Sequence, residues 1–135
     1  MAHLHWLGVV IATVAYFAFG SMWYMALFSK VWAREAGIKM DQKPTQREMT
    51  MMMLKSLLGN FVQVVAVALL LSYAQAGGTD VLRAMKIGAV AGFGIFGGAT
   101  WLNNTWLMRS TTLWMIDTGH TVLGCAISAA ILAAM

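Results

Sequence analysis

Four long runs of apolar residues, separated by short polar stretches, dominate the chain. The runs cover about residues 4–28, 54–74, 85–108 and 113–134. A bilayer core roughly 30 Å thick needs about 20 consecutive, mostly apolar residues in each crossing helix, and every run reaches that length. The pattern therefore predicts an all-α protein, an integral membrane four-helix bundle in which residues 1–135 form a single domain.

The polar connections carry signals for helix starts and stops. Thr45 with Glu48 forms a capping box, which predicts that helix two begins near Thr45, ahead of its apolar part. Gly37 is predicted to end a helical extension of helix one, so the first connection is expected to include an interfacial segment on the cytoplasmic side. Thr79 and Asp80 predict the start of helix three.

The composition excludes several classes of function. Hydrophobic residues make up 60% of the chain and charged residues 10%, against roughly 25% charged residues in soluble domains. There is no basic stripe with interleaved aromatic residues, so nucleic acid is not an expected partner. The sequence has no phosphate-cradling glycine loop, no metal-spaced His/Cys set and no nucleophile elbow. We therefore expect no cofactor, no metal and no enzymatic activity.

Basic residues are distributed unequally between the two sides of the predicted bundle. One side carries Lys30, Arg34, Lys39, Lys43, Arg47, Lys55 and Arg109. The other side carries Arg83 and Lys86. Because Lys and Arg beside membrane spans favour the cytoplasmic side, the long first connection is predicted to be cytoplasmic. The protein is then expected in the inner (plasma) membrane, with both termini outside the cytoplasm.

Polar side chains inside the apolar runs are the candidate site residues. Tyr24, Asn60, Asn104, Asp117 and His120 are all predicted to lie within two turns of the cytoplasmic boundary, roughly 5–12 Å deep. One interpretation is that they hydrogen-bond across helices, with Asp117 pairing with Arg109 or with His120. The other is a cytoplasm-open cavity in which Asp117 and His120 bind a ligand or relay protons.

Glycines spaced four apart predict a smooth face on helix three. Gly88 with Gly92 and Gly94 with Gly98 would permit close helix packing, either within one subunit or between two. Closed two-fold assemblies are the commonest oligomers, so we expect a homodimer with one of these glycines at a close contact. Membrane lipids and a membrane protein partner are the other expected partners.

Two stretches near the ends of the chain carry distinctive sequence motifs. The first motif is carried by Gly20, Trp23, Tyr24, Phe28, Lys30, Trp32 and Gly37. The second is carried by Arg109, Leu113, Ile116, Asp117, Gly119 and His120. Both motifs resemble those of a bacterial membrane family known as domain of unknown function 1761, whose pattern has either Asp or Asn at position 117. The resemblance implies a small four-helix membrane protein, and it implies no activity.

Two main functional hypotheses remain open at this point. The first is a non-enzymatic membrane protein that acts through assembly or partner binding. The second is a small transporter or channel whose site includes Asp117, His120, Asn104 and Asn60. An enzyme acting on a lipid of the inner leaflet is a third, weaker hypothesis. A water-filled cavity that reaches Asp117 would favour the second over the first.

The charge distribution generates a test of orientation. A reporter fused after Met135 is expected to be active outside the cytoplasm, whereas one inserted near Lys39 is expected to be active inside, because basic residues are retained on the cytoplasmic side. Paired reporter fusions measure both positions. The opposite pattern of activity would show that the charge bias does not set the orientation.

Overall fold

The fold is a bundle of helices, seen in a computed structural model that describes residues 4–39, 41–74 and 80–135. The helices are α1 (Trp6–Ser21), α2 (Ser29–Ala36), α3 (Gln46–Tyr73), α4 (Val81–Ala91), α5 (Gly98–Trp106) and α6 (Thr111–Ala134). Two π-helical segments, Met22–Leu27 and Gly92–Gly97, continue α1 and join α4 to α5.

The predicted four-helix architecture is confirmed. The helices long and apolar enough to cross a membrane are Trp6–Leu27, Gln46–Tyr73, Val81–Trp106 and Thr111–Ala134. Each contains one of the four apolar runs. The chain is therefore compatible with a membrane protein that crosses the bilayer four times.

Capping interactions explain where the helices begin and end. The Thr45 hydroxyl accepts a hydrogen bond from the Glu48 N–H at 3.3 Å, and the Glu48 carboxylate accepts one from the Thr45 N–H at 2.8 Å. This confirms the capping box and starts α3 well before its apolar run. Gly37 ends α2 in the left-handed conformation (φ 73°), as predicted. Asp80 accepts a hydrogen bond from the Arg83 N–H and so caps α4, while Thr79 lies outside the described residues.

The last helix, α6, is the centre of the bundle, because it contacts α1, α3 and α4. Two clusters of buried apolar side chains hold these helices together. The first contains Val67, Leu71, Ala84, Cys125, Ala129 and Ala133. The second contains Val9, Ala12, Tyr16, Val64 and Ala68. Both clusters use small residues, which let the helix backbones approach closely.

The four predicted packing glycines divide into two pairs. A Cβ at Gly88 would lie 2.5 Å from the carbonyl oxygen of Cys125, and a Cβ at Gly92 would meet the α6 backbone at 3.0 Å. These two glycines therefore serve packing within the chain. Gly94 and Gly98 have no atom within 4 Å of such a Cβ in the described structure, so their faces stay open to an outside contact.

A hydrogen bond between α1 and α3 marks a common level in three helices. The Tyr16 hydroxyl donates to Gln63 Oε1 at 2.7 Å, and the Tyr16 ring lies against Gly124 of α6. In one direction these helices end at Trp6, Tyr73 and Ala134. Trp6 is ten residues from Tyr16, Tyr73 is ten from Gln63, and Ala134 is ten from Gly124. Each distance is roughly 15 Å at 1.5 Å per residue. We call this the terminal end of the bundle, and the opposite end the loop end.

The helices extend unequally toward the loop end. A layer roughly 30 Å thick centred on the Tyr16–Gln63 level would end there near Ala26, Met53 and Trp114. The first eight residues of α3, Gln46–Met53, lie beyond that boundary, so α3 projects roughly 12 Å out of the layer.

Candidate functional site

Asp117 lies on α6 near the loop end and is held by a residue of the first π-helical segment. The Tyr24 hydroxyl donates a hydrogen bond to Asp117 Oδ1 at 2.9 Å. The Trp32 ring of α2 packs edge-on against the Tyr24 ring at 5.2 Å. Asp117 lies three residues inside Trp114, so its backbone is roughly 4.5 Å within the 30 Å layer.

Neither of the two ion pairs considered for Asp117, with Arg109 or with His120, is found among the described residues. Arg109 instead donates to the carbonyl oxygen of Ala36 at 3.2 Å, where a cation also suits the C-terminal end of a helix. Within the described part of the chain, the single ion pair joins Arg34 to Glu35 on the exposed surface of α2. The Asp117 carboxyl is therefore stabilised by a hydrogen bond and by aromatic neighbours rather than by a cation.

His120 lies one turn further along α6, inside a box of aromatic rings. The Phe19 ring is parallel to the imidazole at a centroid distance of 5.6 Å, and the Tyr24 and Tyr16 rings lie at 4.9 and 5.2 Å. The Trp23 ring is 6.5 Å away. We call Tyr16, Phe19, Trp23, Tyr24, Asp117 and His120 the aromatic–carboxylate cluster.

The close approach of α1 to His120 depends on a glycine. A Cβ at position 20 would lie 2.8 Å from His120 Nε2, so a larger residue than Gly20 would displace the imidazole. Nε2 itself is buried and has no hydrogen-bond partner among the described residues. The imidazole therefore contributes mainly as a flat ring that fills the space between α1 and α6.

Two indole groups tie α6 to its neighbours through backbone carbonyls. Trp23 Nε1 donates to the carbonyl of Ile116 at 3.1 Å, and Trp114 Nε1 donates to the carbonyl of Gly97 at 2.8 Å. Trp23 and Gly97 belong to the two π-helical segments, which therefore lie on either side of the same part of α6. Short π-helical segments within α-helices frequently lie at functional sites.

Helix α2 is fixed beneath the cluster at the loop end. Its C-terminal carbonyl at Ala36 accepts the hydrogen bond from Arg109. Hydrogen bonding by Ser110, the N-cap residue of α6, lowers the pKa of the Glu35 carboxyl below its ordinary value, and Arg34 acts in the same direction. These contacts connect the predicted interfacial segment to the start of α6.

The structure brings together three of the five predicted polar site residues. Tyr24, Asp117 and His120 are neighbours, as described. Asn104 lies on α5 seven residues beyond Gly97, roughly 10 Å further toward the loop end than the cluster. Asn60 is half-buried on α3, and neither asparagine side chain forms a hydrogen bond within the described residues.

Sequence reasoning missed the partner of Gln63 and the role of Tyr16. Gln63 shares a helical face with Ser56 and Asn60, so the three side chains form a polar stripe on α3. Nothing in the sequence marked Tyr16 as the partner of Gln63, because the two residues are 47 positions apart. Gly124 lies four residues after His120 on the same face of α6, and it was the available signal for a large side chain on the facing helix.

Two open grooves lie outside the cluster, and both have mainly apolar walls. One, of about 480 Å³, runs between α3 and the α4 side of the bundle, and Lys86 stands in its wall. The other, of about 340 Å³, lies between α1 and α3 and is lined by Val10, Thr13, Val14, Leu54, Leu57, Leu58 and Phe61. No residue of the aromatic–carboxylate cluster lines either groove.

These features describe a small α-helical protein whose four long apolar helices are compatible with four membrane spans, with a polar cluster near one end. A family profile described as "Protein of unknown function (DUF1761)" matches residues 7–133. The chain belongs to this family, which confirms the resemblance found in the two motifs. No curated protein and no solved structure matches the chain.

The surroundings of Asp117 predict the effect of removing its charge. Asp117→Asn keeps the shape and can still accept from Tyr24, so we expect a loss of only about 0.5–1.5 kcal/mol in the free energy of unfolding. Thermal melting of the purified protein in mild detergent measures this, and Asp41→Asn in the exposed first connection is the control. A loss of about 3–5 kcal/mol would instead indicate a stranded cationic partner and contradict the arrangement described.

Proposed function

We propose that this protein works through assembly in the membrane, as a homodimer that pairs through the loop-end half of α3. The observation that carries the proposal is the exposure of this half. Every residue of α3 from Gln46 to Gly59 is exposed, whereas Val64, Val67, Ala68 and Leu71 in the other half are buried.

The projecting start of α3 is unusually apolar for a segment beyond the membrane boundary. Met49, Met51, Met52 and Met53 have exposed fractions of 37%, 47%, 55% and 49%. Methionine side chains adapt to irregular surfaces and are frequent where one protein binds another. Met49, Met52 and Met53 share one helix face, at i, i+3 and i+4, and an exposed apolar face beyond the membrane boundary indicates an interaction surface.

Small residues continue this surface into the membrane layer. Met52, Ser56 and Gly59 lie on one face of α3, at spacings of four and three residues. The Ser56 hydroxyl is satisfied by the carbonyl of Met52 at 2.8 Å, and a Cβ at Gly59 would meet nothing within 4 Å in the described structure. This face would let a second α3 approach closely.

A two-fold axis normal to the membrane would place this face against its own copy. Such closed assemblies are the commonest homo-oligomers. Gly88 and Gly92 pack within the chain, so a dimer built on glycines of the third span would have to use Gly94 and Gly98. The loop-end half of α3 is the better candidate because it offers small and flexible side chains over four turns.

Crosslinking at neighbouring positions tests this pairing. Met52 and Leu54 are both 55% exposed but point to opposite faces of α3. With the buried Cys125 replaced by alanine, isolated membranes are treated with an added mild oxidant, which accepts the two electrons of each disulfide. Met52→Cys is then expected to form a disulfide-linked dimer at several times the yield of Leu54→Cys. Gel electrophoresis without reductant measures the two yields. Equal yields, or monomer alone for both variants, would contradict pairing through this face.

A second candidate function is a proton site, as in a small transporter. It is favoured by one observation: within the described residues, Asp117 has no cationic partner, although it lies inside the membrane layer. Ionisable residues at such depth often serve proton or ion pathways. Proton flux into proteoliposomes loaded with a pH-sensitive dye tests this function. Flux that Asp117→Asn abolishes would support a proton site. No flux, or flux that the substitution leaves unchanged, would contradict it.

A further inference from the structure

We propose that the groove between α3 and α4 binds one anionic phospholipid, with the lipid phosphate at Lys86 and one acyl chain along the groove. This site lies in the terminal half of the bundle. It does not depend on the proposed dimer, which uses the opposite half of α3.

The shape of the groove suits an acyl chain. It is lined by Leu70 of α3 and by one face of the stretch between Ile87 and Ile95, and Lys86 is the single charged residue in the lining. Ile95 lies nine residues after Lys86, or roughly 13.5 Å along the helix axis. Gly94 leaves the floor open, because a Cβ there would meet nothing within 4 Å in the described structure.

The position of Lys86 calls for a negatively charged partner. Lys86 is exposed and lies five residues after Val81, so its backbone is roughly 7.5 Å inside the terminal end of α4. A lysine at such depth is costly unless its ammonium reaches the interface or meets an anion. A lipid whose acyl chain lies in the neighbouring groove would bring its phosphate to that ammonium.

The charges around the mouth of the groove favour an anion as well. Arg83 lies one turn closer to the helix start, is exposed, and has its guanidinium 3.4 Å from the carbonyl oxygen of Ala74. The N-terminus of α4 adds a partial positive charge. Asp80 is the one acidic residue in this part of the described chain, and its carboxylate is engaged in capping α4.

The same charges disfavour a second copy of this chain as the occupant. A two-fold contact through this groove would bring Lys86 and Arg83 close to their own copies, and like charges facing each other are destabilising. A phosphatidylcholine molecule would fill the groove but carries no net negative charge to balance Lys86 and Arg83. An anionic phospholipid satisfies both the apolar wall and the cations.

Lipid binding to the full-length purified protein tests the proposal. The protein in mild detergent is titrated with phosphatidylglycerol or with phosphatidylcholine of the same acyl chains, and bound lipid is counted by native mass spectrometry. We expect one phosphatidylglycerol to bind in preference. Lys86→Gln should weaken its binding about fivefold, whereas Lys43→Gln, in the exposed first connection, should leave it unchanged.

A second pair of variants tests the groove rather than the charge. Gly94→Leu should fill the groove and abolish the preferred site, while Gly98→Leu, at a similarly open position outside the groove lining, should not. Equal binding of the two lipids would overturn the proposal. Equal effects of Lys86→Gln and Lys43→Gln, or of the two leucine variants, would overturn it as well.

Discussion

The close approach of the other helices to α6 is the constraint on which the rest of the structure depends. In its contacts with α1 and α4, a glycine on one helix lets the facing helix come close. Gly124 receives the Tyr16 ring, Gly20 receives the His120 ring, and Gly88 lies against the α6 backbone. Helices in a bilayer gain little from the hydrophobic effect, so this close packing supplies much of their attraction.

The hydrogen bonds of the bundle interior follow from that packing. The Tyr16–Gln63 bond and the Tyr24–Asp117 bond each join side chains of different helices, and they form because the backbones are near enough. Polar groups without partners are costly in an apolar environment. The aromatic–carboxylate cluster therefore holds α1 and the first π-helical segment against α6, and the loop-end half of α3 stays exposed.

The sequence predicted the helices well, because their signals are local. Apolar runs identified the spans, and Thr45 with Glu48 placed the start of α3. Pairings between distant residues were harder, since depth alone cannot show which way a side chain points. Asn104 was grouped with Asp117 by depth, but it lies roughly a further 10 Å along the third span. For the same reason the four glycines of that span could not be divided into internal and open faces.

A double-mutant cycle at Gly20 and His120 tests most directly whether the cluster is packed solid. Gly20→Ala alone should destabilise the protein by about 1–3 kcal/mol, because the new methyl group displaces the imidazole. In a His120→Ala background the same change should cost little, since the space is empty. Melting curves of the four proteins give the coupling energy. Strictly additive effects would show that the imidazole does not fill this space, and would contradict a packed cluster.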